Sequence, residues 1–585
     1  MKRSSTTTAD RRGPGDGRIP PPRRSGVIGV LLAALLVLTG CTAIPTQGPV
    51  GVISASDDES GDVGLVFDPQ GPAPGASPAR ILLDFITAGT GASDGYSVAR
   101  QYLTPELQET WRPEERIVLF RSDPRVEERE GEGVYRIQLE TTGIVDARGV
   151  RTDTVVPATE AMSVRLVQVD GEWRIDDIPD GIMLAQSSAQ DLLLSHNLSF
   201  YSSDYRYWVP DARWFVRRTG VTARVVAAML AGPAPYLQGS VTSAFPEGVT
   251  LARDSVPITS GTATVELSPQ VLENATNLSL QQMNQQLQVN LLNLNDVTSV
   301  EMTTDQPIEL GPPAPDLVVP ELSPDVGTVQ VAVAGGELVA VRNGESAPIE
   351  DLPSVASLEP RDPATVVSGE AYAFVNVTRK ALYIAVPGSE ARRIAVGDAF
   401  TQPSFDTENW VWTARNADGR GEVIAIPPGG SEEDAAVLTV SWLGEREVRE
   451  LRISRDGARA LVVTERGDTP EVLVSGITRS PDGVPQTLTP PLSLPVDVDV
   501  DTAKWAGQST IVASALGATT RAEPVVLHLN GERESMATLD GVLGISAGTD
   551  AEDMFYAQVD STLYRRIGNS WVDEQIDVID PAFPG

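Results

Sequence analysis

The stretch 449–474, RELRISRDGARALVVTERGDTPEVLV, reads as strand, tight turn, strand, looser turn, strand. Its first turn is Ser454-Arg455-Asp456-Gly457, where aspartate and glycine supply the conformations that reverse a chain. Four other segments lie in register with it: 363–386 (PATVVSGEAYAFVNVTRKALYIAV), 402–426 (QPSFDTENWVWTARNADGRGEVIAI), 503–529 and 544–567. Their starts are roughly 40–50 residues apart, a spacing typical of propeller blades. From about Leu317 to the last residue, no run shows helical periodicity. An all-β segment of this period and length predicts one closed propeller of five or six blades, with paired sandwiches as the competing arrangement.

Upstream the pattern is mixed. HNLSFYSSDYRYWVPDARWFV (196–216) is the most aromatic stretch of the chain. Such a stripe can stack sugars or bases, although strand and core packing uses the same residues more often. A helix with Val225, Val226, Met229 and Leu230 on one face follows and stops at Gly232-Pro233. Ser279-Leu280-Gln281-Gln282 has the form of a capping box, predicting a helix that buries Leu280, Met283, Leu287, Leu291 and Leu294. SVEM (Ser299–Met302) closes this unit as a strand.

Before it, Ser77-Pro78 is a helix start with Ile81, Leu82, Phe85 and Ile86 on one face, and Thr104-Pro105-Glu106 starts a second helix. Val134–Glu140 alternates as a strand, and Asp170-Gly171 joins Val164–Val169 to Glu172–Ile175 as a hairpin. Helices followed by a curved antiparallel sheet predict an α+β domain, able to enclose a conical pocket. The predicted fold class is therefore multidomain: an α+β N-terminal domain (77–195), a second α+β domain (196–316) and an all-β propeller (317–585).

The first forty residues have a different purpose. Residues 1–26 carry seven basic side chains and two acidic ones, and Val27–Leu38 is a run of twelve apolar and small residues. That is short of the about 20 residues a membrane span needs, but it suits the core of an export signal. Leu38-Thr39-Gly40-Cys41 follows directly and contains the only cysteine of the chain. Residues 1–40 are thus expected to be a signal peptide, and 41–76, rich in Gly, Pro, Ser and Asp, a flexible tether. Asp57-Asp58-Glu59 within the tether is solvating charge, not a cation site.

Composition narrows function further. The 585 residues carry 45 Lys and Arg against 80 Asp and Glu, a formal charge of −35. Without residues 1–40 the balance is 38 against 78, or −40. Such an excess opposes nucleic-acid binding, which needs a basic surface. One cysteine excludes a disulfide framework and thiolate zinc sites. With only His196 and His528, general-base and metal chemistry have few carriers. No phosphate-binding glycine loop, zinc-protease helix or nucleophile elbow is present. Asp497-Val498-Asp499-Val500-Asp501 begins like a calcium loop, but Thr502 and Gln508 stand where glycine and glutamate are required. It reads instead as a strand with outward aspartates. No catalytic residue, cofactor-binding residue or metal ligand is assigned, no cofactor is expected, and the chain is read as no enzyme.

Several segments together carry a resemblance: LTGCTAIP (38–45), ARILLDFI (79–86), ARQYLTPELQETW (99–111), GEWRIDDIPDGIML (171–184), HNLSFY (196–201), MLAGPAPYLQGSVTSAFPEGVTL (229–251), QQMNQQLQVNLLNLNDV (281–297) and a final FPG. In this order they resemble the actinobacterial lipoprotein LpqB family across essentially the whole exported chain. The segment 220–305 is similar to the GerMN domain of envelope proteins, and 38–41 resembles the bacterial lipobox. The resemblance implies that Cys41 receives an S-diacylglyceryl group, becomes the new amino terminus and is N-acylated, so that the protein sits lipid-anchored on the extracytoplasmic face of the cell membrane. It also implies a partner, the extracytoplasmic domain of an MtrB-like sensor histidine kinase with MtrA as response regulator, and a modulating role in envelope homeostasis and cell division. The alternative reading is a binding module for cell-wall glycan or peptide that uses the aromatic stretch near Tyr205–Trp208 or a propeller rim, and a cleft lined by Tyr205 and Trp208 would speak for it.

Overall fold

The computed structural model describes residues 69–129, 133–467, 469–549 and 554–585. Cys41, the signal peptide and most of the tether therefore lie outside the described residues.

Helix α1 (Pro78–Ala88) starts as its sequence dictates: the Ser77 hydroxyl accepts from the Arg80 N–H at 3.4 Å, and Pro78 occupies the first turn. Its buried face is Ile81, Leu82, Phe85 and Ile86. Two short helices follow, α2 (Ser97–Arg100) and α3 (Pro105–Thr110). Phe85, Tyr96, Tyr102 and Trp111 pack together, the Phe85 and Trp111 ring centroids lying 5.4 Å apart.

The sheet beneath contains β1 (Arg116–Phe120), β2 (Arg125–Glu128), β3 (Val134–Asp146), β4 (Arg151–Val169), β5 (Glu172–Asp177) and β6 (Ile182–Ala185). Its order is β5-β4-β3-β1-β6, with β2 paired to β3. Asp170 and Gly171 both take positive φ, 52° and 83°, and turn β4 into β5 as their sequence predicts. Strand β3 has 13 residues and β4 has 19, far longer than the runs legible beforehand. Their outer halves are polar on one face, which hides a strand from hydrophobic counting.

Helix α4 (Gln186–Leu192) leads into the hairpin β7 (Leu193–Ser202) and β8 (Trp208–Val216). The expected boundary between residues 195 and 196 falls inside β7. Helix α5 (Val221–Leu230) and β9 (Val241–Thr242), which pairs with β7, come next. Strands β10 (Ile258–Thr259), β11 (Thr262–Glu266) and β12 (Ser299–Thr303) form a small sheet, and α6 (Asn277–Leu291) precedes β12. The capping box of α6 is Thr276 with Ser279, not a box opened by Ser279. Ser279 is its third helical residue, so the helix starts earlier than the sequence reading placed it. Met283, Leu287 and Leu291 are buried as expected; Leu280 is half-buried and Leu294 lies past the helix end. Gln286 and Asn290 are also fully buried, and both bind the Ser199 carbonyl, at 3.1 Å each.

Six antiparallel sheets form the propeller. Their inner strands are Ile579–Ala582, Pro360–Thr365, Ser404–Phe405, Val448–Ile453, Thr502–Trp505 and Val542–Ala547 for blades one to six. Blade one joins the two ends of the domain: Ile579–Ala582 pairs with Gln330–Ala334, so the last strand closes the ring. The five legible repeats are blades two to six. The sixth escaped because its strands are divided between residues 330–348 and the final residues. Residues 495–501 are a loop between strands, not the strand with outward aspartates that the sequence suggested.

Candidate functional site

The second domain and the propeller share one apolar core. Val209, Ala212, Ala234, Tyr236 and Leu237 pack into a cluster with Leu461, Val463, Val472 and Val474 of blade four and Trp505, Ile511 and Leu527 of blade five. Charges are sealed into the same seam. Arg213 donates to both oxygens of Asp211, at 2.9 and 2.6 Å, and Asp211 also accepts from the Ala234 N–H at 2.8 Å. These side chains are 1% and 0% exposed. Arg459 pairs with Asp456 under the same burial and donates to the Gln508 carbonyl at 2.8 Å. The Tyr236 hydroxyl is buried among them, and burial drives its pKa up, keeping it neutral. Backbones approach closely here: a Cβ on Gly476 would stand 2.8 Å from the Tyr236 carbonyl.

The aromatic stretch belongs to this packing. Trp208 packs at a tilt against Tyr201, with centroids 4.1 Å apart, and is 5% exposed. Its carbonyl accepts from Gln508 of the propeller at 3.1 Å. Trp214 donates its indole N–H to the Asn530 carbonyl at 2.8 Å. Trp208 is therefore spent in the seam, while Tyr205 is half-buried with its ring centroid 4.8 Å from that of Tyr201. His196 is buried with Nε2 at 2.9 Å from the Asn290 carbonyl, and burial pushes its pKa down, so the neutral ring donates to that carbonyl. His528 lies 3.7 Å from Glu534 at the blade edge. The two histidines are in different domains, and the Thr510 hydroxyl lies 3.5 Å from His528 Nδ1, at the outer limit of a hydrogen bond. Asp497 and Asp501 are taken up by Arg533 and Arg449, at 2.6 and 2.8 Å. No group of three potential metal-ligating side chains occurs among the described residues.

The propeller channel holds the other concentration of charge, which sequence reading did not single out. At one mouth, a cavity of about 300 Å³ is lined by residues from all six blades, among them Gln402, Glu450, Thr502, Lys504, Asp362 and Asp580. Lys504 donates to Gln402 at 2.5 Å and to Glu450 at 2.9 Å, and burial lowers its pKa. Thr502 donates to the second Glu450 oxygen at 3.0 Å. Asp362 and Asp580 take positive φ, 48° and 54°, where pairing registers slip between strands. Burial pushes the Asp362 carboxyl up to about 6, although Arg379 stands 2.5 Å away. Toward the other end a cavity of only about 30 Å³ remains, where Phe583 and Pro584 are buried and Arg452 donates to the Gly585 carbonyl at 2.7 Å. The polar residues come from five of the blades, about 40 or more positions apart from one blade to the next, whereas blade six adds only Leu543, Gly544 and Ile545, so no local motif announces the cluster.

Three family models match the chain in series: "Lipoprotein LpqB, N-terminal domain" over residues 71–190, "Sporulation and spore germination" (Germane) over 197–306, and "Lipoprotein LpqB beta-propeller domain" over 336–584. Curated relatives include Lipoprotein LpqB of Nocardia farcinica, 25% identical with 84% of this chain and 86% of that protein covered. Lipoprotein LpqB of Streptomyces coelicolor is 24% identical, with 97% and 99% covered. Among solved structures, a putative TolB from Agrobacterium tumefaciens overlays 37% of this chain and 80% of its own at 12% identity, with a TM-score of 0.29.

Proposed function

The chain belongs to the LpqB lipoprotein family, and from that premise we propose that it is a lipid-anchored accessory of a two-component sensor kinase, held on the extracytoplasmic face of the membrane through Cys41. The observation that carries this reading is the sealed seam between the second domain and the propeller. Two buried ion pairs and a shared core fix these domains as one body, and that body presents a constant composite surface to a partner. Hinged clefts serve enclosure of a substrate; a fixed surface serves recognition.

The anchor supplies the rest. One acyl chain binds a membrane only marginally, whereas a diacylglyceryl group with a further N-acyl chain on Cys41 holds stably. No helix among the described residues is long and apolar enough to cross a membrane. The expected tether is shorter than 41–76, because Tyr102 donates to the Gln70 carbonyl at 2.8 Å and the Gly75 N–H donates to Glu172 at 2.9 Å. The 28 residues before Pro69, taken as a random coil, would reach on the order of 26–32 Å by square-root scaling. Confinement within that reach raises the effective concentration of a neighbouring kinase ectodomain, so a weak contact suffices. The partner proposed is an MtrB-like kinase, and the outcome is modulation of envelope homeostasis and division. The reading is non-enzymatic: the histidines are apart, and Glu450 is engaged by Lys504 and Thr502. The test is binding of the purified kinase ectodomain to the acylated chain in nanodiscs. Saturable binding is expected; its absence, with hydrolysis of purified cell wall, would overturn the proposal.

A further inference from the structure

We propose that the cavity between the first two domains binds a small monoanion with an apolar body, of the size of a medium-chain carboxylate. The inference is independent of the kinase reading. The cavity measures about 300 Å³ and is walled by the first domain through Ile117 and Val145 and by the second through Phe215, Ala228 and Arg224. Alanines at 227, 228 and 231 on the α5 face leave the space that larger side chains would fill.

Charge at its wall is unbalanced. One carboxylate, Glu114, is shared by two guanidiniums, with Arg218 at 2.8 Å and Arg224 at 2.9 Å. The Tyr96 hydroxyl also donates to it, at 3.2 Å. Arg224 additionally donates to the Val216 carbonyl, but its Nε is buried with no hydrogen-bond partner. Burial and the neighbouring Arg218 push the Arg224 pKa down, as expected for an under-compensated cation. Of the other charges of the wall, the Arg148 guanidinium adds a further positive charge. Asp146 accepts the Arg148 and Val150 N–H groups at 2.9 Å each, and Arg213 is matched by Asp211.

A ligand carboxylate would supply the missing negative charge, and charge-assisted bonds to guanidinium are the strong kind. Its apolar body would cover Ile117, Val145 and the alanine face. At about 30 Å³ per water-sized atom group, the space holds roughly ten non-hydrogen atoms. At the channel mouth, by contrast, Lys504–Glu450, Arg379–Asp362 and Arg449–Asp501 are paired.

The experiment is titration calorimetry on the full chain carrying Cys41→Ser, with octanoate, acetate and octylamine as probes. Octanoate is expected to bind one to one, acetate at least about ten-fold more weakly, and octylamine not at all. Arg224→Gln should weaken octanoate about ten-fold or more, and Ala228→Phe, which fills the cavity and keeps the guanidinium, should abolish binding. Absence of octanoate binding, equal binding of acetate, or octanoate affinity unchanged in both variants would overturn the proposal.

Discussion

Two seams in this molecule solve the same packing problem differently. Between the second domain and the propeller, two buried ion pairs are neutralised one to one, 0–2% exposed, and embedded in a shared apolar core. Between the first and second domains, two arginines share one glutamate, each of the three side chains is 21–28% exposed, and a cavity remains. The first arrangement fixes geometry and admits nothing. The second leaves volume and unmatched charge together, which is the condition for a ligand site.

Breaking the sealed seam should have the largest effect. Asp211→Ala strands Arg213 and the Ala234 N–H without a partner, so unfolding free energy should fall by about 3–5 kcal/mol in chemical denaturation. Because the core is shared, the second domain and the propeller should unfold in one transition before and after the change. Separate transitions in the parent protein would refute the single body.

The channel provides a titratable counterpart. Asp362 has its pKa raised to about 6 by burial, against about 3.9 when unfolded. Between those values the folded state holds more protons, so this carboxyl costs stability as pH rises from about 4 to about 6, on the order of 2–3 kcal/mol. The difference in stability between Asp362→Asn and the parent should therefore grow across that window. A difference that stays flat from pH 4 to 7 would contradict the assignment.

A milder effect is expected at the open seam. Glu114→Gln leaves Arg218 and Arg224 with access to water, and the cost should be about 1–2 kcal/mol by the same denaturation assay. The smallest belongs to Arg206 and Glu408, which bridge the β7–β8 turn to blade three at 45% and 50% exposure. Glu408→Gln should cost less than about 1 kcal/mol, because an exposed pair is screened. A loss comparable to that of Asp211→Ala would mean that surface contacts, not the buried core, hold the seam.

How far these features are legible in the sequence depends on how local their cause is. The Asp170-Gly171 hairpin, the Ser77 cap and blades two to six each arise within a few neighbouring residues, and pattern alone finds them. Blade one requires pairing between residues 330–334 and 579–582, a contact no window contains. The capping residue of α6 was misplaced because Thr276 and Ser279 both carry the right chemistry, and only backbone geometry decides between them. Tyr201, Trp208 and Trp214 are a binding stripe or a seam according to what lies opposite, and here Gln508 and Asn530 of the propeller lie opposite. The Glu114 cluster joins residues about a hundred positions apart and leaves no linear trace. Cys41 is the reverse case: its expected lipidation rests only on its place after an apolar run, and it lies outside the described residues.

The central claim is that a fixed body on a lipid tether modulates a kinase. It is tested most directly by kinase autophosphorylation in membranes containing the acylated chain, the Cys41→Ser chain, or neither. The account predicts that the acylated chain shifts the rate and that Cys41→Ser, lacking confinement, leaves it near the level seen with neither. Identical rates in all three membranes would contradict it.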